Sequence, residues 1–407
     1  MKAIIFATVS LASKVIAAGV TGTAFGMATG TTGGGSATPA APSNTAQYVT
    51  RPCCLRVVGK YTDKDDRLEL WLADDTPRVI LIDKTFDFTS NLGTTTSAGC
   101  YQACDVFHGG QDYIGTLSCS GSTMTAVSSI TYNAAGASPL TVNSNKSIVG
   151  VGSKGIIQGR GLRLNGASNV IIQNVYIYNI NPQYVWGGDA LTIQNADKVW
   201  VDHCKFSLIG RQMIVSGWDA AGHITISNCE FDGRTYWSAT CNNEHYWTLL
   251  LIGAKDYYTF SGNYLHHLSG RAPHYGTSNN GATNVFHAVN NYFEDMTGHA
   301  FDIEANTWSL IEGNVFSNVA TPMTAASTTK SNAIFNVPLG AESTCTSVIG
   351  RACVANSVID GSGTLMSVKN TAALTQLAAV GASRILAARE ASGVAASVKT
   401  NAGIGKL

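Results

Sequence analysis

"IIQNVYI" (residues 171–177) joins a β-branched run to an asparagine and then to an alternation of apolar and aromatic residues. It returns in altered form as "WVDHCKF" (200–206), "TISNCEF" (225–231), "FSGNYLH" (260–266), "AVNNYF" (288–293) and "IEGNVF" (311–316). The polar residue before the apolar or aromatic pair falls at Asn174, His203, Asn228, Asn263, Asn291 and Asn314, at intervals of 29, 25, 35, 28 and 23 residues. A period of that length marks a solenoid. Each period holds about three short strand-like runs broken by Gly and Asn, and none contains a ten-residue run at helical spacing. That pattern argues against leucine-rich repeats and βαβ units and predicts an all-β chain, a right-handed parallel β-helix. Equivalent side chains then stack at roughly 4.8 Å, so asparagine at one turn position builds a ladder of amides and is structural rather than catalytic. The same register stacks Cys204 on Cys229, as buried thiols or as a coil-to-coil disulfide.

By length, 407 residues could form one large or two ordinary domains. The repeat favours a single domain over 19–407, because solenoid ends need caps. Val20 to Val142 is expected to supply the N-terminal cap and loops, and "ALTQLAAVGASRILAAREASGVAASV" (373–398) a helix packed on the barrel. The 42 glycines against 13% charged residues suit a turn-rich β chain, and the zero formal charge points to neither nucleic acid nor an anionic membrane surface. "MKAIIFATVSLASKVIAAGV" (1–20) reads as a secretory leader cleaved near residue 18, and no later segment approaches the apolar length of a membrane span. A secreted chain makes disulfides the expected use of its ten cysteines, which contain no CxxC pair to suggest zinc.

"YVTRPCCLRVVGKYTDKDDR" (48–67) is foreign to its surroundings in charge density and in its paired Cys53 and Cys54. We read it as a translated retained intron. The flanking text is continuous without it, and Gln47-Tyr48-Val49 can be encoded across a splice-donor-like GTATGT. Sequencing the transcript decides the point, and a messenger that robustly retains these codons overturns it. The plainer reading is a surface loop.

"VDHCKFSLIGRQ" (201–212) sets Asp202 and His203 near Arg211, with a further acid at Asp189 in "WGGDA" (186–190). Two carboxylates suggest a metal site, but a guanidinium among them does not. No position there has metal-ligand spacing.

Taken in series, "YVWGGDALTI" (184–193), "VWVDH" (199–203), "IGRQ" (209–212), "WSATCNNEHYW" (237–247), "HHLSGRAPH" (266–274), "HAVNNYF" (287–293), "TGHAFDIE" (297–304) and "EGNVF" (312–316) resemble the extracellular pectin lyases of filamentous fungi. The resemblance runs in order from about Gly19 to the C-terminus, apart from 48–67. It implies a secreted, monomeric enzyme without cofactor or metal that cleaves methyl-esterified homogalacturonan by β-elimination. That reaction needs a base for the C5 proton, a positive charge for the enolate at C6, and departure of the 4-linked sugar. Related pectate lyases act on a free carboxylate and supply the charge as Ca²⁺. A methyl ester is already neutral, so a fixed cation suffices. The resemblance makes Arg211 that cation, Asp189 its partner, and Arg271 the proton-abstracting residue. It puts Trp186, Trp247 and Tyr246 along the sugar cleft, where aromatic faces suit uncharged sugar esters, and adds Asp202 and His274 to the substrate-binding set. It also implies disulfides Cys100–Cys119, Cys104–Cys241 and Cys345–Cys353.

Departures from the family pattern fall on the cleft. No tryptophan lies between Cys100 and Cys119, where Tyr101, Phe107 and Tyr113 stand, and His274 replaces a basic lysine ahead of a lengthened loop (274–284). "NKS" at Asn145 is the one glycosylation sequon and opens a predicted strand. Three other readings stay open: a calcium-dependent pectate lyase, a galacturonan hydrolase of the same fold, and a non-catalytic carbohydrate-binding β-helix.

Overall fold

The β-branched runs stack into three parallel faces around one apolar core. In the computed structural model, which describes residues 19–45, 67–105, 109–115, 119, 124–279 and 281–407, the first face is a nine-stranded sheet from Arg78–Ile82 to Ala333–Phe335. The second and third faces meet in the bent strand Tyr292–Ile303, which starts beside Tyr264–His266 and ends beside His274–Tyr275. Pairing holds register from coil to coil. Ile172, Val201, Ile226, Phe260, Ala288 and Ile311 form one inward column, every member fully buried. Aromatic rings continue the stacking inside, with Phe206 on Phe231 and Phe293 on Phe316 at centroid distances of 5.3 and 4.9 Å. This is the parallel β-helix that the repeat predicted.

The asparagines divide into two columns, which corrects the register read from the sequence. Asn263, Asn291 and Asn314 form a buried amide ladder that ends on the half-buried Asn356, each of the three Nδ2 groups donating to the next Oδ1. Asn174, His203 and Asn228 stand one residue earlier in their coils, with Gly262, Asn290 and Gly313, and all six have positive φ. Adjacent positions of one turn favour asparagine for different reasons: one needs a left-handed backbone, the other an amide that both donates and accepts. Cys204 and Cys229 extend the ladder column as buried free thiols, with the Cys204 N–H 3.4 Å from Cys229 Sγ.

The ends differ from the expectation in two ways. The first coil already begins at Arg78, and the cap proper is the helix Leu68–Ala73, whose Leu68 and Leu72 close the core. Residues 19–40 instead run along the outside of the first face. There Phe25 meets the edge of Trp200, and the Met27 and Ala28 N–H groups donate to Thr259 and Thr225. At the other end the alanine-rich segment forms two helices, Ala372–Ala379 and Val394–Asn401, interrupted at Gly381 with φ of 108°. Leu374 and Leu377 pack on Leu310 and Phe335, while Val394 and Val398 pack on Tyr292 and Val315.

Residues 1–18 and all of 48–67 except Arg67 lie outside the described residues, as do Cys53, Cys54 and Phe107. The chain flanking the anomalous stretch is informative. Asn44 pairs with Arg67, and the Asn44 carbonyl accepts the Leu68 N–H at 3.0 Å. The two ends of the stretch are therefore neighbours in space, and bridging them needs only a few residues. A variant with 46–66 replaced by a short glycine-containing linker is expected to keep its fold and unfold within a few degrees of the parent in a thermal melt. Failure to fold would make the stretch integral to the domain.

All three expected disulfides are present. The sequon is built into a turn: Asn145 Oδ1 accepts from Asn169, and the Ser147 hydroxyl is buried beneath the Gly34 N–H. Glycan addition there would have to precede packing of the N-terminal segment.

Candidate active site

On the third face the strands Leu191–Gln194, Ile214–Ser216, Leu249–Leu251 and His274–Tyr275 lie side by side, with Leu191, Ile214 and Leu249 aligned and Leu250 opposite His274. Each strand is entered through a turn, and the turn residues stack as the strands do. Asp189, Arg211, Tyr246 with Trp247, and Arg271 thus form one column along the helix axis, separated by roughly 4.8 Å per coil. A loop sheet flanks the column: Thr94–Gln102 pairs with Met124–Asn133 and Asp112–Ile114, which pairs with Tyr184–Val185. The Cys104–Cys241 bridge ties these loops to the coil that carries Tyr246 and Trp247.

Asp189 and Arg211 form a fork. Arg211 Nε and Nη2 donate to the two carboxylate oxygens at 2.9 and 2.7 Å, and the Gln212 N–H donates to Asp189 Oδ1 at 2.9 Å. The guanidinium lies 4.2 Å from the ring centre of Trp186, which is 48% exposed and has φ of 71°. The acid is thereby spent on orienting a cation, in the geometry that favours arginine over lysine.

Arg271 is held differently. Its φ is 50°, a left-handed conformation uncommon outside glycine, and its N–H donates to His299 Nε2 at 3.0 Å. The guanidinium lies 4.8 Å from the Trp247 ring centre and 5.5 Å from that of Tyr246. Among the described residues no carboxylate forms an ion pair with it. Burial draws the guanidinium below the usual arginine range, and the charge of Arg211 adds to this while Tyr246 opposes it.

Three supporting residues carry no role in the sequence reading. Trp247 Nε1–H donates to Gln111 Oε1 at 2.9 Å, while Gln111 Nε2 donates to the carbonyls of Pro182 and Gly210. His245 is buried, and its Nε2–H reaches the Arg211 and Trp247 carbonyls at 2.8 and 3.1 Å, clamping two coils of the column together. His299 supports Arg271 as described. His245 and His299 lie inside quoted motifs, so adjacency could have flagged them; nothing in the text around Gln111 could.

His274 faces outward on the floor of the groove, with Nδ1 2.7 Å from Asp302, and this bond holds the Asp302 carboxyl at about 2. Asp202 is not brought to the column. It is buried on the first face, where Gln173, His203, Ser227 and Asn228 occupy its oxygens. The physical reason is the outer segment 19–28, which covers this face and turns an outward strand position into an interior one. Among the described residues one acid–histidine cluster of metal-ligand size occurs, Glu230, Asp232 and His266. It sits on the second face, and the Lys205 ammonium lies 2.7 and 3.4 Å from its carboxylates.

The clamp predicts a pH signature. Burial holds His245 at about 4, below its ordinary 6.5, with the two carbonyl bonds opposing the shift. Below about pH 6.5 the unfolded chain therefore binds a proton that the folded chain refuses. This contribution is full above about 6.5 and is lost as pH falls toward 4, up to about 3 kcal/mol. Asp256, raised by burial to about 6, works with the opposite sign over an overlapping window, so the difference between parent and variant is the informative quantity. His245→Asn is expected to flatten the acid limb of a pH series of denaturant melts relative to the parent; parallel curves would refute the clamp's titration.

A family profile described as pectate lyase matches residues 2–407. The chain is 50% identical over 399 residues to "probable pectin lyase E" of Aspergillus fumigatus, covering 95% of this chain and 96% of that one. It is 49% identical over 414 residues to "probable pectin lyase F-1" of Aspergillus terreus, covering both chains completely. Among solved structures, pectate lyase II of Xanthomonas campestris superposes with a TM-score of 0.52 at 17% identity, over 94% of this chain and 98% of that one, a likeness of fold.

Proposed function

The chain belongs to the pectate lyase family, and from that premise we propose that it is a pectin lyase, cleaving methyl-esterified galacturonan within the chain by β-elimination. The observation that carries this reading is a cation fixed by an acid, Arg211 on Asp189, one aromatic pair away from a half-buried arginine that no carboxylate among the described residues pairs with. Elimination breaks the C5–H and C4–O bonds and forms the C4–C5 double bond. Arg271 is assigned removal of the C5 proton; the electron pair passes to the ester as an enolate, then forms the double bond as O4 departs and is protonated. Arg211 is assigned stabilisation of the enolate oxygen, a charge that develops only during reaction. Trp186, Tyr246 and Trp247 offer aromatic faces along the column, which suits neutral sugar esters. His274 is assigned to the groove floor.

A guanidinium is a poor base until it loses its proton, so the neutral fraction of Arg271 limits the rate. Burial and the neighbouring Arg211 favour that loss. Activity is expected to rise into the alkaline range, and a pH–rate profile that peaks below about pH 5 would overturn the assignment. The deciding assay measures unsaturated product from esterified pectin and from polygalacturonate, with and without chelator. Product from the ester alone, indifferent to chelator, is the expected result. Loss of activity with chelator supports the calcium-dependent reading, and cleavage without unsaturated product supports a hydrolase. The three disulfides suit an oxidising compartment, and with the leader-like residues 1–18 they support a secreted enzyme. The column is assembled within a single chain, so a monomer suffices.

A further inference from the structure

We propose that His299 is a positioning residue for the elimination: its unprotonated Nε2 holds the Arg271 backbone in the conformation that presents the guanidinium, and its protonation releases that hold. The strand Tyr292–Ile303 carries His299 beneath the turn that leads to Arg271. A side chain at Gly298 would collide with the Ser269 carbonyl, and one at Gly270 would press on the Tyr246 ring and on His299 Cε1. Glycine at both positions lets strand and turn touch. There the Arg271 N–H donates to His299 Nε2 at 3.0 Å, while the Arg271 carbonyl accepts the Leu249 N–H at 2.7 Å. The carbonyl is thus tied into the third face, but the N–H is tied to a side chain. At φ of 50° Arg271 stands in a region that strains any residue but glycine, so the tether decides how firmly that backbone is held.

A neutral imidazole has one acceptor nitrogen, so this bond requires the ring proton on Nδ1. Protonation puts a second N–H at Nε2, facing the Arg271 N–H, and adds a positive charge beside the arginine. Donor then meets donor, and the left-handed turn loses its tether. The groups around the ring do not offset that charge. Asp302, on the same strand, has both oxygens engaged, by His274 Nδ1 at 2.7 Å and by Thr324 Oγ1 at 2.8 Å. Tyr246 meets the ring edge-on at 5.9 Å between centroids, and among the described residues no carboxylate forms an ion pair with His299. Burial, opposed by Asp302 and aided by His274 and Arg271, holds the ring below the ordinary histidine range. The tether is therefore intact at neutral pH and is lost on the acid side. The inference rests on the assignment of proton abstraction to Arg271 and adds to it: elimination requires two protons to be absent, one from Arg271 and one from His299.

The test is the pH dependence of kcat for unsaturated product from esterified pectin in the parent, His299→Gln and His299→Ala. Glutamine can place an acceptor oxygen near the position of Nε2, and it does not titrate. In the parent the acid limb, about one decade per pH unit from Arg271 alone, is expected to steepen to about two as His299 takes up its proton. In His299→Gln the steeper limb should vanish, with alkaline kcat within about threefold of the parent. His299→Ala should lose about tenfold to a hundredfold in kcat at every pH, the scale of a strained backbone left without its tether, while KM changes little. Any step from His274 is common to parent and variants. An acid limb equally steep in parent and His299→Gln overturns the proposal, as does a Gln variant as slow as Ala at alkaline pH. A second measurement needs no turnover and survives an Ala variant that does not fold. In protein carrying isotope-labelled arginine, the Arg271 amide resonance, assigned by its absence from Arg271→Lys, should move through an acid step in the parent and stay in place in His299→Gln. If the parent forms no unsaturated product at any pH, the pectin reading has failed, and this resonance alone decides. An Arg271 amide that ignores pH, or moves equally in both proteins, overturns the tether.

Discussion

Arg271→Lys is expected to abolish measurable elimination, lowering kcat by about a thousandfold, the scale of a lost general base, while the fold and KM change little. The expectation sets two properties of lysine against each other. By acidity alone lysine is the better candidate, because its ammonium loses a proton more readily than a guanidinium. By geometry it is the worse one. Arg271 presents a flat fork 4.8 Å from the Trp247 ring centre and 5.5 Å from that of Tyr246, from a backbone held at φ of 50°. An ammonium on a flexible stem has no plane to stack and no fixed direction in which to present its lone pair. Geometry is expected to win because proton transfer needs the base within hydrogen-bond reach and aligned. The measurement is single-turnover formation of unsaturated product, with circular dichroism and a thermal melt confirming that the variant is folded. A lysine variant retaining a tenth of parental kcat would show that acidity governs. Arg271→Ala serves as the reference, and similar losses in both variants would locate the effect in the oriented fork.

The sequence carried the architecture in its period and most of the column in its motifs, for one physical reason. In a stacked coil, equivalent positions face equivalent surroundings, so a local pattern such as β-branched run, turn and aromatic reports directly on tertiary placement. The same logic explains the register error. Two adjacent turn positions both select asparagine, and composition alone does not tell Asn228, in the left-handed column, from Asn263, in the amide ladder. What stayed hidden depends on contacts between distant segments. Asp202 reads as a groove acid until residues 19–28 are laid over its face, where Gln173 links it to Thr21. Gln111 reaches Trp247 across 136 positions of sequence, from loops bridged to this coil by Cys104–Cys241. His245 and His299 were legible as letters of motifs but not as a clamp and a backbone acceptor, since those roles exist only once neighbouring coils supply the Arg211 carbonyl and the Arg271 N–H.

Arg211→Ala is expected to lower kcat by about a hundredfold to a thousandfold, the scale of a lost oxyanion donor, and Asp189→Ala by a smaller factor, about tenfold to a hundredfold. The order follows from the fork. Arg211 is assigned contact with the developing charge, whereas both Asp189 oxygens are engaged with Arg211 and the Gln212 N–H. Asp189 therefore acts through Arg211, which in its absence keeps Trp186 beneath the guanidinium at 4.2 Å but loses the acid that fixes its rotation. A residue that works only through another contributes nothing once that other is gone, so the double variant should be no slower than Arg211→Ala alone. Additive losses would mean that Asp189 touches the substrate independently. The Arg211→Ala variant also separates a fixed cation from a borrowed one. It leaves Asp189 without its partner, the change most apt to invite a metal, yet one carboxylate supplies at most two of the six to eight oxygens that calcium requires. Added calcium is accordingly expected not to restore unsaturated product formation. Restoration, above all on polygalacturonate, would show that the column can be run by a metal and that Arg211 merely occupies its place.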